Sequence, residues 1–158
     1  MAKKKSAGSA TKKRRPPSQA QIALVTLIST ADRIRNSFEK VRAPFEITGQ
    51  QYNVLRILRG AGPSGLPTLT IAERMVERTP GITGLVDRLE AKGLVVREIP
   101  GHDRRLVYCR IAKKGLSLLK LLDDPMEAGN RKAFSGLNSK ELQQLILLLD
   151  KARKPHED

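Results

Sequence analysis

A mainly α fold with a small β-hairpin is what this chain predicts, and three observations carry the prediction. Apolar residues recur at helical spacing in segments that open on capping boxes, Thr48-Gly49-Gln50-Gln51 and Asn138-Ser139-Lys140-Glu141. Only two short runs, Leu94 to Ile99 and Leu106 to Ile111, are β-rich, and the turn between them holds Pro100-Gly101. The apolar helical patterns at the two ends of the chain are larger than a small lobe of this kind needs for its own core.

The length of 158 residues fits one domain with a tail, enough to bury a core without staples. A single cysteine excludes an internal disulfide framework and fits a reducing cytoplasm. No apolar run approaches the ~18 residues that cross a bilayer. No apolar stretch with a small-residue cleavage site follows the basic N-terminus, so no signal peptide is expected. Lys and Arg number 30 against 16 Asp and Glu, a formal net charge of +14. Such a balance points to a polyanionic partner. Three Phe, two Tyr and no Trp argue against a base-stacking platform for single strands and leave duplex DNA in place.

In chain order, residues 1–17 read as a disordered basic arm. It carries Lys3, Lys4, Lys5, Lys12, Lys13, Arg14 and Arg15 with no acid among them. The arm is either a solvated tail or a segment that lies on phosphates or in a minor groove. The remaining residues, 18–158, form the folded domain. A long helix is expected from Ser18 to Ala43, closed by Pro44. In it Leu24, Ala31 and Phe38 repeat every seven residues, and Leu27, Ile34 and Val41 follow three residues behind. That is a heptad seam, either for a partner helix or for the helix's own domain.

The first capping box opens a helix through Tyr52, Val54, Leu55, Ile57 and Leu58, which Gly60, Gly62, Pro63 and Gly65 end. A third short helix follows Pro67, carried by Leu69, Ile71, Ala72, Met75 and Val76. Thr79 then has the chemistry of an N-cap, with Pro80 at the first helical position. Ile82, Leu85, Val86 and Leu89 face a core, and Gly81, Thr83, Gly84, Asp87 and Arg88 lie on the other face. Gly93 ends this helix. Two short helices joined by a tight turn, followed by a hairpin, define a winged helix-turn-helix over residues 47–111. The last part, residues 112–154, is again helical. Leu116, Leu119 and Leu122 fall on one side, Asp124-Pro125 kinks or interrupts the run, and Leu142, Leu145, Ile146 and Leu149 form a final stripe. The end helices, about 18–43 and 112–154, are expected to pair and build a homodimer through Leu24, Leu27, Ala31, Ile34, Phe38, Val41, Leu142, Leu145 and Leu149.

Together these segments resemble the MarR family of bacterial transcription regulators. The resemblance is carried by Thr83 with Leu85-Val86-Asp87-Arg88-Leu89-Glu90-Ala91-Lys92-Gly93-Leu94, and by Asp103 and Arg105 of an Asp-x-Arg wing. Ile111-Ala112-Lys113-Lys114-Gly115 and Leu137-Asn138-Ser139-Lys140-Glu141-Leu142 add to it. It covers residues 18–154. It implies an obligate homodimer with interleaved end helices, binding to a palindromic operator, and repression relieved by a small, often aromatic or phenolic ligand. Many members carry Arg or another polar residue where this chain has Gly84. Redox-sensing members share a cysteine near the N-terminal helix, which this chain lacks.

The candidate DNA contacts are Thr79, Gly81, Thr83, Gly84, Arg88, Arg104 and Arg105. Threonine hydroxyls contact base edges or phosphates, and their methyls meet thymine methyls. Thr79 is equally read as a plain cap. Arg88 either reaches phosphate or pairs with Asp103. Arg104 and Arg105, at the hairpin tip, suit a narrow minor groove, with Asp103 bracing one of them. The Asp-x-Arg resemblance favours Arg105 as the braced one. Cys109, mid-strand among apolar neighbours, reads as a small buried hydrophobe rather than a sensor. His102, His156 and Cys109 show no metal-ligand spacing, and no nucleophile–base pair, paired carboxylates or phosphate loop is present. No catalytic residue, metal, cofactor or membrane partner is expected. The expected function is that of a cytoplasmic, sequence-specific DNA-binding regulator, with an architectural, nucleoid-type DNA binder as the alternative.

Overall fold

A computed structural model of the protein describes residues 15–76, 81–98 and 107–156. Expectations placed on residues 1–14 and on Thr79, Pro80, Pro100, Gly101, His102, Asp103, Arg104 and Arg105 lie outside the described residues. The chain divides into two units, residues 1–33 and 34–158.

The first unit contains most of helix α1, Gln19–Arg42. Ser18 starts it, its Oγ accepting the Gln21 N–H at 3.2 Å. Leu24 and Leu27 of the heptad seam are 57% and 46% exposed, and Ile22, Val25 and Ile28 are similarly bare.

In the second unit, a 3-10 turn, Ala43–Phe45, follows α1 where Pro44 was expected to close it. Helix α2, Gly49–Ala61, begins on the expected capping box. Gln51 N donates to Thr48 Oγ1 at 3.2 Å, and Thr48 N donates to Gln51 Oε1 at 3.1 Å. Strand β1, Leu66–Pro67, leads into helix α3, Thr68–Arg74, and helix α4 spans Ile82–Ala91. Strands β2, Val95–Glu98, and β3, Tyr108–Ile111, complete an antiparallel sheet of order β1-β3-β2. Val95 pairs with Ile111, and Cys109 lies between Arg97 and Leu66. Helix α5, Lys113–Ala133, and helix α6, Ser139–Arg153, follow. The second capping box holds: Asn138 Oδ1 accepts from Glu141 N at 3.1 Å, and Asn138 N donates to Glu141 Oε2 at 2.9 Å.

One core joins these elements. Val54, Leu55 and Leu58 of α2, Ile71 of α3, Leu85, Val86 and Leu89 of α4, Val95, Cys109, and Leu119 and Leu122 of α5 are all buried within it. Truncating one of these leucines to alanine would cost ~2–5 kcal/mol. Arg59 of α2 adds an ion pair to Asp123 of α5, 2.9 Å from both carboxylate oxygens.

Several expectations are corrected. Leu66 and Pro67, expected only as chain leading into a helix, form a strand because β3 lies beside them. Leu69 and Val76 point to solvent, 73% and 88% exposed. Leu116 is exposed, because Gly115 takes the inward position beside Leu119, Leu122 and Met126. A Cβ on Gly115 would stand 2.4 Å from the Leu94 carbonyl oxygen, so only glycine fits there. Helix α5 runs through Pro125 without interruption. Proline removes the hydrogen bond to the Leu121 carbonyl, but both residues are exposed, and water can serve that oxygen.

Candidate nucleic-acid interface

Helix α4 divides its faces as its sequence directs. Leu85, Val86 and Leu89 are buried and Ile82 is half-buried, while Gly81, Thr83, Asp87 and Arg88 are exposed and Gly84 is partly so. The described helix begins at Ile82. Its N-cap is Gly81, with φ 95° and ψ 37° and no side-chain cap. A left-handed backbone at this point favours glycine over any residue with a Cβ. The Gly81 carbonyl accepts the first helical bond, from Leu85 N at 3.2 Å.

The far end of α4 is a Schellman motif. Gly93, at φ 69°, donates to the Glu90 carbonyl at 2.8 Å, and Leu94 N donates to the Leu89 carbonyl at 3.0 Å. This turn aims the chain into β2 and so sets where the wing begins. Lys114 Nζ closes on the Lys92 carbonyl at 2.9 Å, and Lys92 reaches the Glu46 carbonyl.

On the exposed face, Arg88 folds back along the helix. Its Nη1 lies 3.6 Å from where a Cβ on Gly84 would stand. Its expected pairing with Asp103 involves a residue outside the described set. A different contact ties the wing to α4, and sequence reasoning missed it. Arg97 of β2 pairs with Asp87, and its Nε is 3.2 Å from Glu90 Oε2. Its backbone N–H also donates to Glu90 Oε1 at 3.3 Å. Asp87 and Glu90 share a helical stripe, three residues apart, and that spacing was the available signal. The pairing matters electrostatically: Asp87 and Glu90 are two carboxylates on the exposed side of α4, and Arg97 offsets their charge. Thr83 borders a notch of about 240 Å³ shared with Thr68, Leu69, Arg97 and Val107.

Cys109 is fully buried, with Thr68 Oγ1 3.5 Å from its Sγ. Burial pushes its thiol above the ordinary value of 9.0, against smaller opposing effects from Thr68 and Arg97. Among the described residues no group of three His, Cys, Asp or Glu side chains could hold a metal ion. Nor is any described helix long and apolar enough to cross a membrane.

A cavity of about 760 Å³ opens beside this lobe, lined by residues from α1, α2, α5, the α3–α4 segment and α4, among them Phe38, Arg42, Tyr52, Met75, Leu85 and Arg88. Sequence reasoning placed no ligand residue here. Arg42 looked like an ordinary basic residue at a helix end, yet it is only 4% exposed.

With this geometry in place, comparison with known proteins defines the class. The pattern of the MarR family matches residues 45–106, the helix-turn-helix and the first part of the wing. The chain is similar to a MarR transcription factor from Planctomyces limnophilus, at 39% identity and a TM-score of 0.68, over 86% of this chain and 98% of that one. It is 27% identical to the homoprotocatechuate degradative operon repressor of Escherichia coli, over 80% of this chain and 84% of the repressor. The fold is shared with a mutant MarR of E. coli solved in complex with operator DNA, at 23% identity and a TM-score of 0.73, over 83% of this chain and 94% of that one. The chain belongs to the MarR family, a class of winged helix-turn-helix transcription regulators that bind DNA and are not enzymes.

Proposed function

We propose that this chain is a homodimeric repressor that binds a palindromic operator and is released by a small aromatic ligand. The observation that carries the reading is α4 itself. One face is locked in the lobe core, and the other presents Gly81, Thr83, Gly84 and Arg88 with few bulky side chains, as close approach to a major groove needs. Thr83 and Arg88 read or anchor the duplex there, with Thr79 at the same end. Arg104 and Arg105 take the flanking minor groove, with Asp103 bracing one of them. The basic arm, residues 1–17, adds phosphate contacts. The operon-repressor name of the E. coli relative supports repression.

The homodimer forms through the end helices, residues 18–43 and 112–154. The bare Leu24 and Leu27, and Leu149 at 40% exposure, support it, since a heptad seam open to water lacks its partner. Ala31, Ile34, Phe38, Val41, Leu142 and Leu145 extend the same stripes. The ligand lodges in the cavity between Phe38, Tyr52 and Leu85, where it shifts the lobe that carries α4. An effector that releases DNA binds the free dimer more tightly than the bound one, by the factor that DNA affinity falls. The net charge of +14 favours a second reading, an architectural DNA binder of little sequence preference.

Footprinting of the DNA upstream of the chain's own gene tests the proposal. It should reveal two inverted half-sites with centres about one helical turn apart, roughly 34–36 Å. Uniform protection without half-sites would overturn it.

A further inference from the structure

Arg42 closes α1 with its guanidinium side chain buried. Burying it requires acceptors, and the structure supplies only part of what is needed. Nη2 is 2.6 Å from Oε1 of Glu39, one turn earlier on the same helix. The guanidinium carbon lies 5.9 Å from the centre of the Tyr52 ring. Nε is buried and finds no acceptor among the described residues. Glu39 is different in kind: its side chain is 46% exposed, a solvent-side carboxylate reaching inward.

The pair meets over the first residue of α2. A Cβ on Gly49 would stand 3.1 Å from Arg42 Nη2 and 3.2 Å from Glu39 Oε1, so the glycine leaves the room in which they touch. Both side chains line the cavity of about 760 Å³. Glu39 is the one carboxylate among the described lining residues, which also include the cations Arg35, Arg42 and Arg88. Phe38 and Tyr52 give the same cavity two aromatic walls.

We propose that Glu39 is an internal stand-in for the ligand's acidic group. An aromatic carboxylate entering the cavity displaces Glu39 from Arg42, and Glu39 turns out to solvent. The inference rests on the ligand-release reading and goes further, naming the exchange that admits the ligand. Arg42 holds Glu39 through Nη2, with Nε left over. A free carboxylate can accept from two guanidinium nitrogens side by side, a stronger and more directional arrangement. Its ring then lies among Phe38 and Tyr52, which favour offset or edge contacts. Glu39 works against this ligand twice, by occupying Arg42 and by repelling a second carboxylate.

The test uses the full-length protein with benzoate and its neutral analogue benzamide as probes, titrated calorimetrically. Glu39→Gln should bind benzoate at least tenfold more tightly than the unaltered chain, while benzamide binds both alike. Arg42→Met should lose the preference for benzoate over benzamide. Should Arg42→Met fail to fold, Arg42→Lys, which keeps the charge without the two-nitrogen edge, should lose most of that preference. Equal benzoate affinity with and without the Glu39 carboxylate would overturn the proposal, as would no saturable benzoate binding to either. A neutral aromatic compound that fills the cavity and releases DNA, with no benzoate shift in Glu39→Gln, would leave ligand release standing and remove the exchange. A tenfold shift with no DNA release by any cavity binder would do the reverse.

Discussion

Arg97 binds Asp87 across the junction between β2 and α4, so the strand that opens the wing is pinned to the helix that precedes it. Glu90 completes the contact from one turn further along. The geometry of helix and wing is thus fixed by charge as well as by the turn at Gly93.

Arg97→Gln tests this contact. Asp87 and Glu90 are about half exposed, so the folded state should lose ~1 kcal/mol or less. DNA affinity should fall further than stability, because two uncompensated carboxylates then stand on the exposed side of α4. Adding Asp87→Asn should recover part of the loss, with a coupling of roughly 0.5–3 kcal/mol between the two changes. Strictly additive effects on titrations of a labelled duplex would show that the pair does not matter to binding.

Gly84→Ala should raise stability and lower DNA affinity together. Alanine improves the helix by ~0.8–1 kcal/mol, and its Cβ would meet only Arg88 Nη1 at an ordinary 3.6 Å. In the proposed major-groove approach of α4, the same methyl would stand between the helix and the bases. Thermal melts and duplex titrations on one preparation check both halves. Higher stability with unchanged affinity would place Gly84 away from the DNA.

Cys109 should behave as a buried thiol. Its raised pKa means the fold favours the protonated form. The stabilisation is therefore full below about pH 9 and is lost as pH rises through the folded value. The difference in melting temperature between the unaltered chain and Cys109→Ala should be constant below that pH and shrink above it. A thiol reagent at neutral pH should react slowly with the native chain and rapidly once it is unfolded. Fast native labelling would contradict the burial.

Leu27→Asp should separate dimerisation from folding. Leu27 is 46% exposed in the single chain, so the aspartate costs that chain little. In a dimer the same charge would be buried unpaired. Sedimentation should show a dimer for the unaltered chain and a monomer for the variant at micromolar concentration. A stable unaltered monomer would end the dimer proposal.

What the sequence made legible was local. Thr48 and Asn138 announce their helices because a capping side chain and its backbone partner lie three residues apart. Leu85, Val86 and Leu89 give their inward face away by spacing alone, and Gly93 marks the helix end by the positive φ it adopts. What stayed hidden depends on distant partners. Strand β1 exists because Leu66 meets Cys109, and Gly115 displaces Leu116 because Leu94 passes behind it. The depth of Arg42 comes from Gly49 and Tyr52 of α2 lying beside its guanidinium, visible in sequence only as an unremarked Glu39–Arg42 spacing. The expectation for Arg104 and Arg105 falls outside the described residues.

Competition between two duplexes of equal length and base composition, one carrying the footprinted palindrome and one with it scrambled, separates regulation from architecture. If α4 and the wing read sequence, the palindrome should be preferred by ~10³-fold or more at physiological salt. Equal affinity for both duplexes, with binding governed by salt alone, would contradict that reading and make the chain an architectural DNA binder.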